Sequence, residues 1–169
     1  MLMKKLCWTL LFVSVTLCSC VPPPRNTGVE PDHASVTEME TRMFDQINRV
    51  RQKSGLRSLQ HSARLRELAR SQSRDMAKHH YLAHVDSQGR DLQARFAAAR
   101  LENWRTIGEN VARSMGYDHN DEVMVKGWLN SKHHRDNIMN GEFESTGMGV
   151  IQGADGIYYA TQIFMRAAR

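Results

Sequence analysis

Apolar residues recur along this chain with two different periods, and the change of period divides it. From Ser35 onward Met39, Met43, Ile47 and Val50 recur every three to four positions. That spacing places them on one face of a helix. Ser35-Val-Thr-Glu38 ahead of them is a capping box, and Gly55 after Ser54 is a stop signal. A second helix is predicted from near Ser62. Leu65, Leu68, Ala69, Gln72 and Met76 share its inner face, and Arg64, Arg66, Arg70 and Arg74 lie largely off it. Those arginines read as a solvated face, with a grip on anionic lipid or wall polymer as the alternative.

Further along, His79 to Gly89 reads as loop and Asp91 to Arg100 as a short helix with Leu92, Phe96 and Ala99 inward. Ile107 to Ala112 reads as a short strand. Asn120 is placed to cap a helix to Asn130 that buries Met124 and Trp128, and His133 to Met139 is one more turn of helix. The pattern then becomes β. Gly147 to Gln152 and Ile157 to Phe164, rich in β-branched and aromatic residues, flank the turn Gly153-Ala-Asp-Gly156. This is a hairpin signal, with Tyr158 and Tyr159 on alternate faces. Helices first and paired strands last predict an α+β fold.

The N-terminus follows neither period. Lys4 and Lys5 precede a continuous apolar run from Leu6 to Leu17. The run matches a secretory signal and is too short to span a bilayer, which takes about 20 apolar residues. Leu17-Cys18-Ser19-Cys20 resembles a bacterial lipobox. The resemblance implies cleavage before Cys20 and lipid on its thiol, so residues 1–19 are the expected signal peptide. Val21 to His33 is rich in proline and offers nothing for a core, so 20–34 reads as a tether and 35–169 as one domain. Val21 is not Asp, which by the enteric sorting pattern suits an outer-membrane lipoprotein where the cell has an outer membrane.

Cysteine use agrees with export. The three cysteines are Cys7, Cys18 and Cys20, so the domain itself has no disulfide, thiol ligand or thiol nucleophile. Loss of Lys4 and Lys5 takes the basic residues from 23 to 21 against 18 acidic ones, a net charge of +3. That mild excess suits an anionic membrane or wall surface. No nucleic-acid motif accompanies it, and export argues against such a partner.

Polar chemistry concentrates at Tyr81-Leu-Ala-His84, at Gly108-Glu109-Asn110, and from Trp128 through Ser131, His133, His134, Arg135 and Asn137. Two imidazoles and a carboxylate are a minimal metal or acid–base set once a fold converges them. In order along the chain, Met43 to Arg51 with Gly55 to Leu59, His84 with Gly89, Gly108-Glu-Asn110, Trp128-x-x-Ser-x-x-His134-Arg-x-Asn137, Gly147-Met-Gly149 and Tyr158 to Phe164 resemble the bacterial branch of the CAP superfamily, also called the SCP domain. The similarity covers about residues 38–165.

That resemblance implies an α-β-α sandwich with a cleft. It carries His84, Glu109 and His134 over as candidate catalytic residues and His84 and His134 as candidate ligands for Zn²⁺ or another divalent metal. Ser131, Arg135, Asn137 and Asn110 carry over as cleft support. Ser131 stands where eukaryotic members carry a second acid. Taken as residues alone, His84 and His134 serve equally well as hydrogen-bonded braces, Glu109 as an acceptor for backbone N–H groups, His133 as an exposed side chain and Trp128 as core. Three functions remain open. The first is an anchored binding module for a lipid, cell-wall or host ligand. The second is a His/Glu-based or metal-assisted hydrolase, with Ser131 the one hydroxyl in the set. The third is an envelope scaffold with nothing in the cleft.

Overall fold

A computed structural model describes residues 33–168. The expected signal peptide, the expected lipidation site Cys20 and most of the expected tether lie outside them. The elements are α1 (His33–Lys53), β1 (Gln60–His61), α2 (Ala63–His79), α3 (Leu92–Ala98), β2 (Trp104–Ser114), α4 (Asn120–Asn130), α5 (Lys132–Met139), β3 (Ser145–Gln152) and β4 (Tyr158–Ala167). The sheet order is β1-β3-β4-β2, with β1 parallel to β3 and the other pairs antiparallel.

Strand alternation sorts the side chains into two layers. On one face Met148, Val150, Ala160 and Phe164 pack with Met39, Met43 and Ile47 of α1, Met124 and Trp128 of α4, and Ile138 of α5. On the other, Ile163 packs with Leu65, Leu68 and Ala69 of α2 and Phe96 of α3. The result is the α-β-α sandwich. The hairpin also forms as expected: Gly153 N–H donates to Ile157 O at 2.8 Å, and Gly156 takes a left-handed φ of +77°.

Gly147 and Gly149 permit one contact that no larger residue would. A Cβ on Gly147 would lie 2.1 Å from the Arg66 amide nitrogen, and one on Gly149 would lie 2.2 Å from that of Arg70. The backbone of α2 therefore rests directly on β3. Ser73 Oγ secures the contact by donating to Gly149 O and meeting Thr161 Oγ1, both at 2.9 Å.

Several expectations need correction. Helix α1 begins at His33, so Ser35 lies inside it and is not its cap. Ala34, a strong helix former, lies in the added turn. Asn120 is the first residue of α4 and not its cap. Its amide donates to Tyr117 O at 2.6 Å and accepts from Ser114 Oγ at 2.8 Å, which fixes the turn before the helix instead. Ala99 is exposed at the end of α3, while Arg95 takes the inward position beside Phe96. Strand β2 runs 11 residues because it pairs with β4 almost throughout. Tyr159 is buried, and Tyr158 is half-buried against the first core.

The arginine face of α2 is largely spent on the fold. Arg70 makes a forked contact with the buried Glu40 at 2.7 and 2.8 Å, and Arg66 approaches it at 3.5 Å. Glu40 also accepts the Val150 N–H at 2.9 Å, where β3 has run past the two-residue β1 and its edge is open. Arg64 donates to the carbonyls of Ala99 and Arg100. Arg51, fully buried, ties the end of α1 to Arg57 O, Ile138 O and Asn140 O at 2.7–3.0 Å.

Candidate functional site

The site forms at the open edge of the sheet. Strand β2 is the outer strand, and consecutive residues on it face opposite layers. Glu109 pairs in register with Ile163 and turns towards α3, while Asn110 pairs with Gln162 and turns towards α5. Gly108 precedes them because there is no room for a side chain: a Cβ there would lie 2.8 Å from Phe143 Cζ and 3.2 Å from Asn137 Oδ1.

Helices α4 and α5 close that edge with side chains. Trp128 Nε1–H donates to Val111 O at 2.9 Å, and Asn137 Nδ2–H donates to Glu109 O at 3.0 Å. Carbonyls two residues apart point to the same side of a strand, so these bonds occupy the side that β4 does not. Asn137 also donates to Asn110 Oδ1 at 2.9 Å, and Asn110 donates to His134 O at 3.1 Å. Arg135 donates to Leu129 O at 3.0 Å, which holds the junction of α4 and α5. Trp128 is core and His133 is exposed. Ser131 is the junction residue, and its side chain makes no capping bond.

Opposite this edge stands the loop that carries His84. Gln72 Nε2–H donates to Ala83 O at 2.9 Å. The Asp75 carboxylate accepts from Tyr81 Oη–H, from Ser87 N–H at 2.7 Å and from Ser87 Oγ–H at 2.6 Å. Burial alone would raise the Asp75 pKa, but the bonds from Ser87 and Tyr81 outweigh it and hold the carboxyl below its ordinary value. The Tyr81 hydroxyl is pushed up, by burial and then by Asp75. Asp86 closes the loop on Arg90 at 2.7 Å.

The two halves meet at Glu109. Its Oε1 lies 2.8 Å from His84 Nδ1, and its Oε2 accepts from Arg95 Nη2 at 2.6 Å. Arg95 Nη2 also donates to His84 O at 3.1 Å. Glu109 and Arg95 side chains are 3% and 4% exposed, whereas that of His84 is 56% exposed. The His84 and His134 rings stand 6.5 Å apart between centroids. Desolvation lowers the His134 pKa, with His84 and His133 adding charge repulsion. The three sequence candidates are thus brought together. Arg95, absent from the sequence reading, completes the set.

The chemistry follows from that geometry. With Nδ1 held by a carboxylate, the neutral His84 ring carries its proton on Nδ1 and presents Nε2 as an acceptor. A metal fits this donor set poorly. Protein zinc sites take three or four protein ligands. Here two imidazoles face each other, and both oxygens of the one carboxylate are engaged, one of them by a guanidinium. Among the described residues no three His, Cys, Asp or Glu side chains converge to hold a metal ion. Ser131 donates no hydrogen bond to either imidazole among those described.

A sandwich of this topology, with a cluster of polar side chains beside its outer strand, defines a class of domain, and comparison identifies it. The profile of the cysteine-rich secretory protein (CAP) family matches residues 44–164, and the chain belongs to that family. It is 33% identical over 122 residues to the uncharacterised protein YkwD of Bacillus subtilis, covering 70% of this chain and 45% of YkwD. It is 33% identical over 131 residues to the uncharacterised membrane protein YlbC of the same organism, covering 77% and 35%. The chain therefore spans less than half the length of these relatives. Among solved structures, an extracellular SCP-domain protein of Bacillus anthracis aligns with a TM-score of 0.66 and 30% identity over 77% of this chain and 41% of the other. An outer surface protein of Borrelia burgdorferi shares the fold, with a TM-score of 0.70 and 18% identity over 78% and 95%. Among the described residues no helix is long and apolar enough to cross a membrane.

Proposed function

We propose that this chain is an extracytoplasmic CAP-domain protein, held on the membrane through a lipidated Cys20, that binds a lipid, cell-wall or host ligand in the His84–His134 cleft. One observation carries the reading: the buried Arg95–Glu109 pair ends on an exposed His84. A buried ion pair is a weak source of stability because desolvation offsets its attraction. Its effect here is to fix the ring of His84 and aim Nε2 outward. Leu82 and Val85, 43% and 44% exposed, add apolar surface to the same loop. A ligand that offers a hydrogen-bond donor beside an apolar portion suits both.

The test is calorimetric titration of the full lipidated chain in detergent with phospholipids, fatty acids and soluble wall fragments, beside a His84→Ala, His134→Ala variant. Saturable binding that the variant loses supports the cleft. Binding that is equal in both, or no binding of any panel member, sinks it.

A hydrolase is the second reading, favoured by the 2.8 Å Glu109–His84 contact, which pairs an orienting carboxylate with a candidate base. Among the described residues no hydroxyl is bonded to either imidazole. Turnover of ester or amide substrates by the parent chain and not by His84→Ala would establish it.

A further inference from the structure

Away from the proposed cleft, the large apolar side chains exposed among the described residues are Met115, Tyr117 and Val123, at 57%, 59% and 37%. They lie together. Met115 and Tyr117 sit between β2 and α4, Val123 is in the first turn of α4, and with the half-buried Ile157 they line one shallow groove. Ser114 and Gln152 both pair with Tyr158, so the ends of β2 and β3 and the start of β4 share one edge of the molecule. The start of α1 is there too. Val36 and Thr37 line a groove with Val150, Ile151 and Gln152, and Arg42 of α1 pairs with Asp121 of α4 at 2.8 Å. The chain thus enters the fold at the end that displays Met115 and Tyr117.

We propose that this end rests on the phospholipid bilayer that holds Cys20, with Met115 and Tyr117 entering the headgroup region. The inference depends on the lipid anchor proposed above. His33 lies 13 positions after Cys20, a reach of at most about 45 Å. An anchored domain so close meets the bilayer at high effective concentration, and weak contacts then suffice. Tyrosine suits an interface, with an apolar ring and a polar tip, and methionine adapts to irregular apolar surroundings. The exposed Asp118 and Glu122 stand among these residues with Arg113. The contact is therefore apolar in origin and insensitive to salt. Glu109 lies five residues along β2 from Ser114, about 17 Å, so the cleft stays clear of the contact.

The test uses the full lipidated chain in phosphatidylethanolamine–phosphatidylglycerol vesicles. An environment-sensitive label is placed at Met115→Cys, at Tyr117→Cys, or at Glu102→Cys beside the opposite end of β2. Labels at 115 and 117 should shift emission to the blue and escape quenching by aqueous iodide at low and high salt, while the label at 102 stays quenched. Protein that floats with the vesicles yet is quenched alike at all three positions overturns the contact and leaves the anchor standing. Protein that does not float overturns the anchor, and the contact falls with it. Protection at 115 that vanishes on dilution within the bilayer shows a second copy on the loop and also overturns the proposal.

Discussion

Arg95 and Glu109 meet at 2.6 Å with both side chains almost wholly buried, one from a seven-residue helix and the other from the outer strand. Removing one partner strands the other charge. Arg95→Ala should therefore cost about 3–5 kcal/mol in urea unfolding. An Arg95→Met, Glu109→Leu double variant removes both charges and should recover most of that loss. Equal destabilisation by the single and double variants would show that packing, and not charge, sets the cost.

Two glycines should respond in opposite directions. Gly149→Ala places a Cβ 2.2 Å from the backbone of α2, where no flexible side chain can yield, so the helix must lift from the sheet. A loss of about 3 kcal/mol or more is expected. Gly127 lies within α4 with nothing within 4 Å of its added Cβ. Gly127→Ala should gain up to about 1 kcal/mol of helix propensity. Thermal melts of the two variants beside the parent decide both.

Burial holds the His134 imidazole below its ordinary pKa of 6.5, and the neighbouring His84 and His133 push it the same way. The unfolded chain therefore takes up this proton before the folded one does. The sign follows: His134 opposes folding progressively as pH falls below about 6.5, and the effect levels off once the folded ring is also charged. Urea midpoints measured between about pH 7 and pH 5 should fall less steeply in His134→Gln than in the parent. Identical slopes would exclude His134 as the source.

Periodicity made much of the fold legible. The inner face of α2 follows from Leu65, Leu68, Ala69, Gln72 and Met76, all of them buried. The site was legible in part. His84, Glu109 and His134 stood out by residue type, but 25 positions separate His84 from Glu109, and only the family resemblance joined them. Arg95 was hidden because an arginine on a short helix normally faces water, and its reason for turning inward is a carboxylate 14 positions away. Arg51 was hidden likewise, since its partners are carbonyls that exist only once α1 and α5 meet. Strand β1, two residues long, has no period to read. Gly147 and Gly149 were visible as a motif, but their cause, the backbone of α2, belongs to tertiary structure.

Metal affinity gives the last test, and it turns on how Glu109 is used. Its two oxygens serve His84 and Arg95, so a cation in the cleft would find two imidazoles and a guanidinium close by. Zinc titration of the full chain should show no binding tighter than about 1 μM, or about −8.2 kcal/mol. Ser131→Glu would place an acid where the eukaryotic pattern has one, and a third ligand should tighten binding at least about tenfold. Submicromolar binding by the parent, lost in His84→Ala, His134→Ala, would instead mean that Glu109 leaves Arg95 to complete a metal centre. The Arg95–Glu109 pair would then be the metal-free state of that centre, and its role as a fixed support for His84 would fall.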